Sequence, residues 1–250
     1  MDEKKKFVLV TGASSGIGRM IAIGLSANYN VVLNGRNTER LLETKEKCSI
    51  HYEHHIFNKD LENVDGLEEE LSTFIKEKNI EISQFVHCAG FMKMIPLKMV
   101  TIEIINRTFS TNLISAALVI KALVNRKINN SALSSVVLIS SNISNFGAKA
   151  FSIYGASKAG LDGLMRSLAV ELAPKVRINS ILPGAVRTEM TESIFEDADT
   201  VNRLEATYPL GLGNTKDIYE VVDFLLSEKA RWITGQQLTV DGGRTINITG

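Results

Sequence analysis

Phe7-Val-Leu-Val-Thr-Gly-Ala-Ser-Ser-Gly-Ile-Gly18 runs from an apolar stretch into three glycines, at positions 12, 16 and 18. The β-branched and apolar residues from Phe7 to Thr11 predict a buried strand, and the residues from Gly16 to Ala27 carry the period of a helix. A simple turn between them needs one or two glycines. Three, spaced Gly-x-x-x-Gly-x-Gly, let the backbone turn tightly and come close to a pyrophosphate, while the helix start offers free N–H groups and the positive end of its dipole. Strand, glycines and helix together predict dinucleotide binding through Gly12, Ser14, Ser15, Gly16, Ile17 and Gly18.

Outward from this unit the same alternation continues. Further strands are expected at Asn30 to Leu33, His54 to Phe57, Ser83 to Cys88, Ser135 to Ser140, Val176 to Leu182 and Gln237 to Val240. Helices are expected at Thr38 to Lys47, Glu62 to Lys78, Arg107 to Arg126, Ser152 to Ala173 and Thr215 to Ser227. Near-continuous Val/Ile/Leu runs suit strands buried on both faces, and helical crossovers are what parallel strands require. The fold class is therefore α/β, a Rossmann-type, doubly wound parallel sheet of about seven strands with helices on both faces. No linker, repeat or block of like charge divides the chain, so residues 1–250 are read as a single dinucleotide-binding and catalytic domain.

Composition narrows the partners. Of the 250 residues, 44% are hydrophobic, and 28 basic residues balance 28 acidic ones, which removes the basic footprint of a nucleic-acid or anionic-membrane binder. A small molecule is the expected partner. No signal-peptide core follows the charged start, and no apolar stretch is expected to reach spanning length; Ser115 to Val124 comes nearest, interrupted by Lys121. Two cysteines, Cys48 and Cys88, cannot build a disulfide framework and suit a reducing cytoplasm. His51, His54 and His55 with Cys48 include enough ligand types for a metal, but a strand puts His54 and His55 on opposite faces, and no metal is expected.

Tyr154 and Lys158 stand four residues apart in Tyr-Gly-Ala-Ser-Lys, on one face of a predicted helix. An ammonium beside a phenol favours the phenolate, so Lys158 is expected to lower the Tyr154 pKa and make it a proton donor to a substrate oxygen. Together with Thr11 to Gly18, Asn112 and Ser141, this pair resembles the classical short-chain dehydrogenase/reductase family, over essentially the whole chain. Pro183-Gly184 and Val240-Asp-Gly-Gly243 fit the same pattern. The resemblance implies a catalytic set of Asn112, Ser141, Tyr154 and Lys158, with Ser141 thirteen positions before Tyr154 polarising the substrate carbonyl. Asn112 would bend its helix and hold a water near the lysine. Cofactor contacts are implied at Asp60 and Leu61, at Cys88, Ala89 and Gly90, at Tyr154 and Lys158, and at Pro183, Gly184, Val186 and Thr188. His87-Cys-Ala-Gly90 departs from the family's Asn-Asn-Ala-Gly, replacing by His87 an asparagine that bonds across the sheet.

After the second strand, Asn34-Gly35-Arg36 puts glycine where NAD-specific relatives carry aspartate. An acid there would bind the ribose hydroxyls and repel a 2′-phosphate, whereas Arg36 offers that phosphate a charge-assisted grip. NADP(H) is the expected cofactor, ahead of NAD(H), although Ser15 stands where many NADP-using relatives have a second basic residue. Tyr208-Pro-Leu-Gly211 and Ile233-Thr-Gly-Gln236 resemble 3-oxoacyl-carrier-protein reductase-like members, implying reduction of a ketone to a secondary alcohol, with a 3-oxoacyl thioester, free or tethered to a carrier protein, as one substrate. Sugar, polyol and steroid alcohol dehydrogenases of the family share those segments. A catalytically silent nucleotide-binding sensor is the reading from another class. Phe91, Met92, Met94 and Met99 either line a substrate entrance or pack. Residues 188–208 are expected to form a mobile lid over the substrate, and the resemblance also implies a homotetramer.

Overall fold

Alternation along the first strand sorts the protein into two layers around a sheet. In β1 (Lys5–Val10), Phe7 and Leu9 belong to one buried apolar cluster and Val8 and Val10 to a second on the opposite face. A strand covered on both sides can be apolar at every position, which is why the run read as continuous. Each large side chain fully buried there, such as Phe7 and Leu9, contributes about 1.5–3 kcal/mol relative to exposure.

The computed structural model describes residues 4–192, 195 and 198–247. The remaining strands are β2 (Asn30–Gly35), β3 (His54–Asn58), β4 (Ile80–His87), β5 (Ser135–Ile139), β6 (Arg177–Pro183) and β7 (Gln237–Val240). All seven pair in parallel in the order β3-β2-β1-β4-β5-β6-β7. The helices are α1 (Gly16–Leu25), α2 (Thr38–Glu46), α3 (Leu67–Lys78), α4 (Ile102–Phe109), α5 (Ser115–Val124), α6 (Arg126–Asn129), α7 (Ser152–Glu171), α8 (Ala198–Glu205) and α9 (Thr215–Leu226). Helices α1, α2 and α9 supply the cluster beneath one face, and α3, α5 and α7 the cluster on the other. The winding reverses between β1 and β4, so the crevice for a ligand opens beyond their carboxyl ends.

Expected and observed elements agree in type and differ at their ends, for local reasons. The helix expected from Glu62 starts at Leu67 because Gly66 takes a left-handed conformation, φ 68°, that breaks the helical path before it. The one expected from Arg107 begins earlier, at Ile102, where the Thr101 side chain accepts from the Ile104 N–H and caps it. It is not a simple α-helix: Ser110–Ile114 is a π turn between α4 and α5. The unbroken stretch Ile102–Val124 is 23 residues with a mean hydropathy of 1.2, long and apolar enough to span a bilayer, contrary to the expectation from sequence. Its α5 part buries Ala116, Val119, Ile120 and Leu123 within the core beside the sheet, which accounts for its apolar character.

Candidate active site

The glycine loop is built by close approach. Gly12 has φ 69°, and a Cβ there would lie 2.8 Å from the Ala89 backbone nitrogen, so β1 and the segment after β4 touch backbone to backbone. A Cβ on Gly16 would lie 3.1 Å from Thr188, which brings the segment after β6 against the same loop. Helix α1 starts at Gly16, and its N-cap residue Ser15 makes no side-chain cap, leaving the first N–H groups free for a ligand. Thr11 ties the loops together: its Oγ1 accepts from the Cys88 N–H (3.1 Å) and the Ala89 N–H (3.2 Å).

These elements surround one cavity of about 1210 Å³. Of the expected cofactor residues, Gly12, Ser14, Ser15, Gly16, Ile17, Gly18, Arg36, Asp60, Leu61, Cys88, Ala89, Gly90, Tyr154, Lys158, Pro183, Gly184, Val186 and Thr188 all line it, and so does Ser141. Asn112 lies beneath the wall, fully buried. The backbone cradle, the uncapped helix start and the exposed Arg36 at the end of β2 fit a dinucleotide. The lid expected over 188–208 is described only in part, since residues 193, 194, 196 and 197 lie outside the described residues. Thr188, Met190, Phe195, Leu204 and Tyr208 from that stretch line the cavity.

Asn112 sits in the π turn, and its side chain is fully engaged. Oδ1 accepts from the Phe91 N–H at 2.7 Å, while Nδ2 donates to the Phe91 carbonyl at 3.0 Å and to Ser157 Oγ at 2.9 Å. It thereby fixes the chain after Gly90 to the helix carrying Tyr154 and Lys158. A Cβ on Gly90 would lie 3.6 Å from Asn112 Oδ1 and 3.7 Å from Lys158 Nζ, so this residue packs between the two side chains at ordinary contact distance. Lys158 is buried and donates to the Ile139 carbonyl at 2.8 Å. Ser140 Oγ bonds Asp162 Oδ2 at 2.9 Å and so braces α7 against the end of β5.

The charges behave differently from the sequence expectation. Burial pushes the Tyr154 phenol up to about 12, partly offset by its bond with the Ser141 hydroxyl, and the nearby Cys88 thiol adds to the rise. Lys158 is pulled down to about 8, again by burial first, with Cys88 and Asp162 opposing. The ammonium lies 5.9 Å from the centre of the tyrosine ring and spends its hydrogen bond on Ile139. Loss of water therefore outweighs the favourable charge that the four-residue spacing suggested. At neutral pH the phenol keeps its proton. Cys88 is also raised by burial, to about 12, which makes it a packed thiol and not a nucleophile.

His87 is fully buried, and its tautomer follows from Thr11. The Thr11 hydroxyl already accepts two backbone N–H groups, so its one proton is directed to His87 Nδ1, 3.0 Å away. Nε2 then carries the ring proton and is buried beside the Thr111 and Asn112 backbone carbonyls of the π turn, with no partner in hydrogen-bond geometry among the described residues. Burial, followed by the Lys158 charge, lowers this imidazole to about 3, against the pull of those carbonyls. Where the family places asparagine, this chain has a neutral strut from β1 to the helix of Asn112.

His54 and His55 are structural, and His51 is exposed. His54 Nδ1 accepts from the Val31 N–H at 3.2 Å, and His55 stacks on Phe7 with ring centres 5.2 Å apart. No group of three or more potential metal ligands occurs among the described residues. Sequence reasoning passed over several cavity residues: Lys59, held 2.6 Å from Glu70; Arg107, 2.9 Å from Glu62 and stacked on Phe91; and Arg244 near the C-terminus. It also missed the Arg40–Glu189 ion pair, 2.8 Å, which spans 149 residues at the mouth of the crevice. None of these carries a motif; only the folded chain brings them together. Phe91, Met92 and Met94 do line the cavity, whereas Met99 does not and is exposed.

The family model described as Enoyl-(Acyl carrier protein) reductase matches residues 12–245. The chain is a short-chain dehydrogenase/reductase. It is 33% identical to (3R)-3-hydroxyacyl-CoA dehydrogenase of Mus musculus, across 96% of each chain. L-rhamnose 1-dehydrogenase (NAD(P)(+)) of Sphingomonas sp. (strain SKA58) is 30% identical across 97% of each. Among solved structures, 4-hydroxyisoleucine dehydrogenase complexed with NADH superposes with a TM-score of 0.88 at 25% identity, covering 96% of this chain and 99% of that one. The protein is thus an oxidoreductase of the family that acts on alcohols and ketones.

Proposed function

We propose that this short-chain dehydrogenase/reductase is an NADP(H)-dependent reductase of ketones, with an acyl ketone such as a 3-oxoacyl thioester as substrate. The observation that carries the reading is the meeting of Tyr154 and Ser141 on one cavity wall, with Lys158 behind them and Asn112 fixing the adjoining loop. The bound nicotinamide would supply the hydride to the carbonyl carbon. Ser141 orients the carbonyl oxygen and Tyr154 gives it a proton, which a phenol near 12 retains at neutral pH. Lys158, near 8, is mostly protonated there and lends its charge as negative charge builds on the phenol oxygen.

Preference for NADP(H) is supported by Gly35 and Arg36 at the end of β2, where no carboxylate stands to repel a 2′-phosphate. An acyl ketone is favoured over a sugar by the apolar residues on the substrate side, Phe146, Phe151, Met190, Phe195 and Leu204. Part of the 188–208 stretch closes over this side as a lid. A homotetramer is supported by β7, which among the described residues pairs with β6 alone, and by Trp232 and Val170, 92% and 82% exposed near that edge and on α7. The test is NADPH oxidation, with NADH in parallel, across 3-oxoacyl thioesters, keto sugars, diketones and keto steroids. Consumption of a 3-oxoacyl thioester is expected. Binding of NADPH without consumption of any carbonyl would favour the silent sensor.

A further inference from the structure

Five cations line the cavity: Arg36, Lys59, Arg107, Lys158 and Arg244. Three have partners already, Lys59 on Glu70 at 2.6 Å, Arg107 on Glu62 at 2.9 Å and Lys158 on the Ile139 carbonyl. Among the described residues, Arg36 and Arg244 have no carboxylate within ion-pair distance. Arg36 belongs to the adenosine end, beyond β2. Arg244 stands on the substrate side, with Leu204, Tyr208, Thr245 and Asn247.

The backbone holds Arg244 in place. Asp241 is buried, and its carboxylate accepts from the Gly243 N–H at 3.1 Å and the Thr245 N–H at 2.9 Å, while the Arg244 N–H bonds the Asp241 carbonyl at 3.0 Å. The Asp241 carboxylate is thus spent on the turn itself. That turn packs directly on the crevice: a Cβ on Gly184 would lie 2.8 Å from Asp241 Cβ and 2.9 Å from the Tyr208 ring. Tyr208 Oη accepts from the Ala185 N–H at 2.8 Å, and the Arg244 charge is felt there, opposing the rise that burial imposes on the phenol. A half-buried guanidinium on a hydrogen-bonded turn, with no ion-pair partner among the described residues and beside apolar walls, is a receptor for an anion.

We infer that Arg244 binds a terminal anionic group of the substrate, a carboxylate or a phosphate, so that the preferred ketones carry a negative charge at the end of an apolar spacer. This rests on the reductase reading and names the substrate class for it. The probes are matched pairs: 3-oxobutanoate, 4-oxopentanoate and 5-oxohexanoate against their methyl esters for the carboxylate, and 3-oxobutanoyl-CoA against its N-acetylcysteamine thioester for the phosphate. In the wild type, kcat/KM should favour the charged member of at least one class by about 10- to 100-fold, through KM. Arg244→Gln should bring that ratio close to one, and Arg244→Lys should restore part of it. Calorimetric titration of the same pairs into NADPH-depleted enzyme saturated with NADP+ reads the preference without turnover, so a protein that reduces no ketone still decides the matter. Equal affinity for charged and neutral members in the wild type, or a preference surviving in Arg244→Gln, would overturn the inference. So would a variant that changes only the oligomeric state, since Arg244 would then serve a subunit contact.

Discussion

The two ends of the cavity are made of different material. The dinucleotide end is backbone: Gly12 against Ala89, Gly16 against Thr188, and an uncapped α1 start. The substrate end is side chains, with Phe146, Phe151, Phe195, Leu204 and Arg244 arriving from segments far apart in sequence. Backbone geometry demands particular residues at fixed spacing, because only glycine fits a left-handed turn or a contact with no room for Cβ. A wall of side chains demands only shape and polarity, and many sequences meet that. On the proposed reading, the backbone end would hold the cofactor and the side-chain end would select the substrate.

The sharpest way to break this contrast is at the backbone end. Gly12→Ala places a side chain at φ 69° and 2.8 Å from the Ala89 nitrogen. NADPH affinity, followed by fluorescence titration, should fall up to about 100-fold. Wild-type affinity in that variant would show that the loop yields and that the close approach is not required.

The strut between the two ends gives the next effect. His87 is neutral when folded, near 3, but takes up a proton in the unfolded chain below its ordinary 6.5. The unfolded state therefore binds more protons between those values, and stability is lost as pH falls through about 6.5 toward 3. At pH 5 the loss assignable to His87 is about 2 kcal/mol relative to pH 7. Urea unfolding of His87→Asn should show a pH 7 to pH 5 difference smaller by that amount; an unchanged difference would mean that the imidazole is protonated in the fold.

Arg36 is the exception that sharpens the comparison, a side chain acting at the backbone end. Arg36→Leu should raise KM for NADPH about 10-fold relative to KM for NADH, the value of one exposed charge-assisted contact. Equal changes for both cofactors would remove the phosphate contact and with it the case for NADP(H).

This division also explains what was legible beforehand. The seven strands, the helix positions and the residues around the glycine loop could be read because period and glycine spacing are local properties, whereas the order of strands in the sheet could not. The π turn at Ser110–Ile114 could be placed at Asn112 only through family resemblance, since a lone asparagine in a helix has no distinctive local signature. The direction of the Tyr154 shift was misread because spacing reports the neighbouring ammonium and not the water lost by both groups. Arg244 went unnoticed because its meaning depends on Asp241 being occupied by Gly243 and Thr245, a fact of the folded turn alone.

The central claim is that the Tyr154 hydroxyl donates the proton in ketone reduction. The measurement is kcat of Tyr154→Phe for the best ketone substrate, with NADPH affinity determined on the same preparation. Turnover should fall by about 100- to 10,000-fold while NADPH affinity stays within a few-fold of wild type. Turnover equal to that of the wild type, with the cofactor bound as tightly, would contradict it.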